Sequence, residues 1–99
     1  MSRFNLSRQS VADLLEIWEF IADDNLDAAD RLLDKFYAAF TSLAEMPTMG
    51  HIRVDLTSHD VLFWPIDSYL VIYKANSDPL QIIAVLHGKR NIKRILRKR

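Results

Sequence analysis

The apolar residues of this 99-residue chain change their spacing once. From Val11 to Ala44 they recur every three or four positions; after Gly50 they alternate or run together in stretches of a few residues. The first spacing lines one face of a helix, the second one face of a strand. A chain that does the one and then the other keeps its helices apart from its strands. That predicts an α+β fold, with helices packed on an antiparallel sheet. The length suits one domain spanning residues 1–99, and no repeat or linker divides it.

The first helix is predicted over Ser7 to Asp23. Val11, Leu14, Leu15, Trp18, Ile21 and Ala22 form its apolar stripe, and Ser7 or Ser10 offers an N-cap. Arg8, Asp13, Glu16, Glu19 and Asp23 fall mostly on the opposite, exposed side. Asp24-Asn25-Leu26-Asp27 breaks the helix, with Asn25 suited to a left-handed stop and Asp27 to capping the next helix. That second helix carries Ala29, Leu32, Leu33, Phe36, Tyr37, Phe40, Leu43 and Ala44, and proline stops it at Met46-Pro47. So short a connection makes the two an antiparallel α-hairpin. Phe4-Asn5-Leu6 reads as a short strand before it. Ile52 to Leu56, Val61 to Ile66, Tyr69 to Lys74 and Leu80 to Leu86 read as four more, joined by turn-forming residues. Beyond Gly88, Ile92, Ile95 and Leu96 share one face of a short basic helix.

Several kinds of chemistry find no support in the residues. Without cysteine there is no disulfide, thiol nucleophile or cysteine metal site. His51, His59 and His87 lack the close pairing of a zinc site, so no metal or other cofactor is expected. No serine stands in a Gly-x-Ser-x-Gly turn, and two glycines cannot build a phosphate loop. The Met1 to Asn5 start has no apolar segment of the kind that exports a protein. The longest apolar run, Val61 to Ile66, is far short of the ~20 residues of a membrane span. A soluble, cytoplasmic protein is the expectation.

Two features do point to binding. The formal net charge is zero, yet Lys89, Arg90, Lys93, Arg94, Arg97, Lys98 and Arg99 crowd the last eleven residues with no acid among them. All thirteen acids and only six bases precede them, so an acidic body carries a basic end, an asymmetry that marks a binding surface. The acids of the hairpin offer a matching surface for a basic partner. Phe63-Trp64-Pro65 cannot turn all three bulky groups inward, and its proline argues for an edge strand or a bulge that a protein partner covers. His87, beside Gly88, Lys89 and Arg90 and with Arg53 on the first strand of the sheet, is the one group suited to phosphate binding and acid–base work.

Phe4-Asn5-Leu6-Ser7, Ala12 to Ile17, Ile21-Ala22, Asp24-Asn25, Ala28-Ala29, Leu43 to Arg53, Tyr69 to Tyr73 and Val85 to Ile92 follow one another in an order that resembles the ParE branch of the ParE/RelE toxins of bacterial type II toxin–antitoxin modules. The resemblance runs over nearly the whole chain. It implies a RelE/ParE-like fold and a cytoplasmic, growth-arresting toxin of the plasmid-stabilising kind that poisons DNA gyrase and is not a hydrolase. Its partners would be gyrase, an upstream-encoded ParD-like antitoxin with a ribbon-helix-helix half, and operator DNA reached only through the antitoxin complex. RelE-like relatives instead cleave mRNA on the ribosome, with an arginine after the tyrosine that opens the penultimate strand. Here that position is Leu70, which cannot hold a phosphate or stabilise developing charge. A ribosome-dependent nuclease using Arg53, His87, Lys89 and Arg90 is the alternative, and a non-toxic antitoxin-binding domain a third. On the gyrase reading Arg53, His87, Lys89, Arg90, Lys93, Arg94 and Arg97 meet the target, while Trp18, Phe63, Trp64, Glu16 and Glu19 meet the antitoxin.

Overall fold

The computed structural model describes residues 3–99; Met1 and Ser2, the first residues of the polar start, lie outside them. Strand β1 (Phe4–Leu6) leads directly into helix α1 (Arg8–Ala22). Ser7 makes that junction, because its Oγ accepts the Ser10 N–H at 3.0 Å, capping α1, and donates to the Ile83 carbonyl at 3.0 Å. Helix α2 (Leu26–Glu45) follows after three residues. Its cap is Asn25 and not Asp27: Asn25 is extended, at φ −155°, and its side chain accepts the Ala28 N–H. No left-handed residue is needed for the stop, since Asp23 itself is still right-handed helical. Pro47 ends α2 as expected and opens a single 3-10 turn, Pro47–Met49.

Strands β2 (Leu62–Ile66), β3 (Tyr69–Lys74) and β4 (Leu80–His87) form an antiparallel meander, and helix α3 (Ile92–Arg97) closes the chain's path. The order across the sheet is β1-β4-β3-β2, with β1 joining β4 in parallel. Parallel pairing is the natural outcome of the connection, because α1 and α2 together carry the chain back before β2 begins.

The predicted strand Ile52 to Leu56 does not form. Only His51 bridges to the sheet, exchanging both backbone hydrogen bonds with Phe63 at 2.8 Å. Antiparallel pairing would next place Arg53 opposite Val61, but the Val61 N–H is already given to the His59 carbonyl at 2.9 Å. The chain turns instead, Leu56 and Thr57 both donating to the Arg53 carbonyl. Ile52 and Val54 remain 73% and 85% exposed, an alternation with no face to bury. The β2 edge is therefore closed from within, by His59, by His51 and by Pro65, which has no N–H to offer.

Both faces of the sheet are covered. On one, Leu14, Phe36, Phe40 and Leu43 of the hairpin pack on Ile66, Val71, Tyr73, Ile82 and Val85. On the other, Ile92 and Leu96 of α3 pack on Val61, Phe63, Ile72, Ala84 and Leu86. Two-sided burial explains why β4 reads as a continuous apolar run from Ile82 to Leu86. A bulge adds to this: Ile72 pairs with Ala84 but Tyr73 with Ile82, leaving Ile83 as the extra residue. Ile82 and Val85 thus face the hairpin together although they are three apart.

Candidate functional site

The apolar stripe of α1 is two stripes. Ser10, Asp13, Leu14 and Ile17 turn toward the sheet, while Val11 and Leu15 are 49% and 55% exposed. The sequence pattern merged them, and it placed Asp13 on the wrong side. Ser10 is fully buried, and its hydroxyl donates to the Ser7 carbonyl at 2.8 Å. Asp13 is 7% exposed and its Oδ2 accepts the Val85 N–H at 3.0 Å. That amide lies beyond the three residues of β4 that β1 pairs, so a side chain stands in for the missing strand.

The second partner of Asp13 is Arg99. Its Nη1 meets Oδ2 at 2.6 Å and its Nη2 meets Oδ1 at 2.9 Å, a two-pronged contact. Nη1 also lies 3.4 Å from the Ile83 carbonyl, which the bulge leaves facing outward and Ser7 already shares. The hydrogen bonds to Asp13 hold the Arg99 guanidinium above its ordinary pKa, against the opposing pull of burial. Arg99 is thus spent on Asp13 and is not one of the free cations that its place in the basic end suggests. Lys89, Arg90, Lys93, Arg94, Arg97 and Lys98 are all exposed, and Arg99 differs from them in its side chain, which is only 14% exposed. Asn91 caps α3 through the Arg94 N–H at 3.2 Å, and burial of Ile92 and Leu96 turns Lys93, Arg94 and Arg97 to solvent.

A cleft of about 240 Å³ lies between α1 and the ends of β3 and β4, walled by Ile17, Phe20 and Val85 with Glu16 and Arg90 at its charged margin. His87 and Tyr69 meet there edge to face, ring centres 5.2 Å apart. The His87 Nδ1 accepts the Lys89 N–H at 3.1 Å, which in the neutral ring leaves the proton on Nε2. Burial, with the nearby Asp67 charge, pushes the Tyr69 hydroxyl above the ordinary tyrosine range.

Arg53 is elsewhere. It sits in the loop before β2, bound in two-pronged fashion to Asp55 at 3.0 and 2.8 Å. That exposed pair raises the arginine's pKa and lowers the carboxylate's, chiefly through the hydrogen bonds. Arg53 lines a groove of about 270 Å³ with Leu70, Ser68, Gly88 and Arg90, on the face of the sheet that α3 covers. His87 points to the hairpin face. Of the four candidate catalytic residues, only Arg90 borders both spaces. His51 stacks on Trp64, ring centres 6.1 Å apart, and His59 lies in an exposed turn, so the three histidines are scattered.

Of the residues expected to meet an antitoxin, Glu16 and Glu19 are exposed, and Trp18 and Trp64 are half-buried. Trp18 Nε1 donates to Asp30 Oδ1 at 2.9 Å, tying α1 to α2 across the hairpin. Phe63 is 1% exposed in the α3-side core, so the strand resolves its crowding by sending Phe63 inside.

A family model described as the ParE toxin of the type II toxin–antitoxin system parDE matches residues 4–92. The match thus covers the hairpin, the sheet and the start of α3, and Lys93 to Arg99 lie beyond it. No curated protein matches the chain. Among solved structures, the chromosomal ParDE toxin–antitoxin system from P. aeruginosa is similar in fold, with a TM-score of 0.70 at 14% identity over 85% of this chain and 92% of that one.

Proposed function

We propose that this chain, which belongs to the ParE family of type II toxins, arrests growth by binding DNA gyrase and is held in check by a ParD-like antitoxin. The observation that carries this reading is the division of the candidate catalytic groups. Cleaving RNA needs an acid–base group and a phosphate-binding cation within reach of one scissile bond. His87 shares its cleft with Arg90 alone of the candidate cations, Arg53 is bound to Asp55 in the groove on the other face of the sheet, and Leu70 lines that groove at the position where RelE-like relatives carry an arginine. What the fold presents in quantity is a set of exposed cations on a helix anchored by Ile92 and Leu96. Such an array suits docking onto a large acidic surface, with association sensitive to salt.

The antitoxin on this reading engages the hairpin, where Glu16 and Glu19 are exposed beside Trp18, and reaches Trp64 on β2. Its other half would carry a ribbon-helix-helix fold that binds operator DNA, so the pair would repress its own operon, and this reading expects a small reading frame of that kind just upstream. Gyrase works in the cytoplasm, which places the toxin there.

Replacing Lys93, Arg94 and Arg97 together with Glu tests the reading. The variant is expected to lose inhibition of gyrase supercoiling and growth arrest while keeping its melting temperature and antitoxin binding, because all three side chains are exposed. A charge-reversed protein that still inhibits gyrase fully overturns the docking role. Cleaved mRNA in a cell-free translation assay, with supercoiling untouched, overturns the gyrase target.

A further inference from the structure

Most of the basic end is solvated, but its last cation is not. The Arg99 side chain is only 14% exposed and that of Asp13 7%, and the two make a double hydrogen bond 86 residues apart in sequence. Few arrangements bury so much charge for packing alone, since an apolar pair of similar size serves a core equally well. The geometry around them is also fully satisfied. Asp13 takes the Val85 N–H, Arg99 approaches the Ile83 carbonyl, and Ser7 shares that carbonyl. The pair therefore closes the open edge of β4 where β1 stops, using atoms from the helix on one face of the sheet and the segment that follows the helix on the other.

That position has a mechanical consequence. Helix α3 has six residues and two buried anchors, Ile92 and Leu96. A helix so short is not stable alone in water and takes its order from what holds it. Gly88 and Asn91 fasten its start, through the Ser68 carbonyl and the Arg94 N–H respectively. Arg99 fastens its end. We infer that Asp13 and Arg99 form a latch that positions α3, fixing the direction in which Lys93, Arg94 and Arg97 are presented, so that Asp13 is a positioning residue for target binding and not part of the acidic hairpin surface. The inference rests on the docking role of those three cations for its functional half; the latch itself does not. Because α1 is also part of the hairpin assigned to the antitoxin, the latch joins the two binding regions through one ion pair.

The test compares Arg99→Ala, Arg99→Lys and Asp13→Asn in the full chain by amide hydrogen exchange. Asp13→Asn keeps an oxygen for the Val85 N–H, and Arg99→Lys keeps a charge without the fork. In Arg99→Ala the α3 amides of Ile95 and Leu96 are expected to exchange about tenfold faster, the equivalent of ~1.4 kcal/mol, while β3 amides such as Val71 hold their protection. Arg99→Lys should recover part of that loss. The same variants should need several-fold more toxin for equal gyrase inhibition. Ile66→Val, a core change on the hairpin side chosen as a stability control, should leave α3 exchange and inhibition alone. Unchanged α3 exchange in Arg99→Ala overturns the latch. Loosened α3 with undiminished inhibition overturns the positioning role, provided that reversing Lys93, Arg94 and Arg97 abolishes inhibition. If reversal has no effect either, the docking reading has failed, and the exchange result still decides the latch.

Discussion

Tyr73 is the largest fully buried side chain, and Gly50 lies directly against it. The Tyr73 hydroxyl donates to the Pro47 carbonyl at 2.6 Å and accepts the Gly50 N–H at 2.9 Å, fixing the loop after α2 onto β3. Gly50 has an ordinary extended conformation, φ −73° and ψ 179°, so its backbone does not demand glycine. Space does. A Cβ there would overlap the hydroxyl and stand 2.9 Å from Cε1 and 3.0 Å from Cζ of the ring. Gly50→Ala should therefore cost about 1–3 kcal/mol as an overpacked contact. Tyr73→Phe removes the hydroxyl and leaves a carbonyl and an amide without their partner, again about 1–3 kcal/mol, toward the lower end because water can approach two half-buried loop positions. For a domain of this size each kcal/mol moves the melting temperature by about 4–8 °C. The double variant separates these effects from unrelated ones. Once the hydroxyl is gone, the worst overlap goes with it and the Gly50 amide has no bond left to lose, so the two costs should fall short of additivity by about 0.5–1.5 kcal/mol. Urea denaturation followed by tryptophan fluorescence measures all three variants. Strict additivity, or an alanine at position 50 that costs nothing, would refute the contact.

The same hydroxyl sets a pH limit. Burial raises its pKa, against the smaller lowering effect of the Gly50 N–H, so the native state keeps this proton after the unfolded chain has released it. Stability is then full below about pH 10, where free tyrosine titrates, and falls as pH rises toward the folded value. Tyr69 is shifted in the same direction, so Tyr73→Phe should reduce this alkaline loss without abolishing it.

Two further substitutions probe the frame that holds the site. Phe40→Ala empties the centre of the hairpin-side core, where Phe40 is fully buried against Phe4 and Tyr37, and should cost about 3–5 kcal/mol by thermal unfolding. Asp67 begins the two-residue turn between β2 and β3 with φ 52°, so Asp67→Val should lose about 1–2 kcal/mol on left-handed strain, whereas Asp67→Gly should stay near neutral, the relief of strain offsetting the lost contact with Lys35.

Much of this architecture is written locally. The helix ends follow from Ser7 and Pro47, the β2–β3 turn from Asp67-Ser68, and β3 runs from Tyr69 to Lys74 as its apolar pattern demands. The three apolar positions of α3 and the exposure of its cations follow from spacing of the same kind. Such features depend on residues a few places apart, so a pattern one turn or one pleat long is enough to reveal them. The errors arise where that range ends. Ile52 to Leu56 alternates like a strand, but whether it pairs depends on the Val61 amide, which His59 has already taken. Val11, Leu15 and Leu14 share one apolar spacing, and only the approach of β4 decides which of them faces inward.

The site divides in the same way. Leu70 in place of a cation, and the crowding of bases after Gly88, are matters of residue type and order. That His87 and Arg53 line different spaces is not, because it depends on the bulge at Ile83 and on the turn the chain makes at Arg53 before β2. Nor does anything near Asp13 announce a partner 86 residues away. A carboxylate and a guanidinium look alike whether solvated or paired, and burial, which alone gives their union its strength, exists only once the sheet and both helices have closed around them.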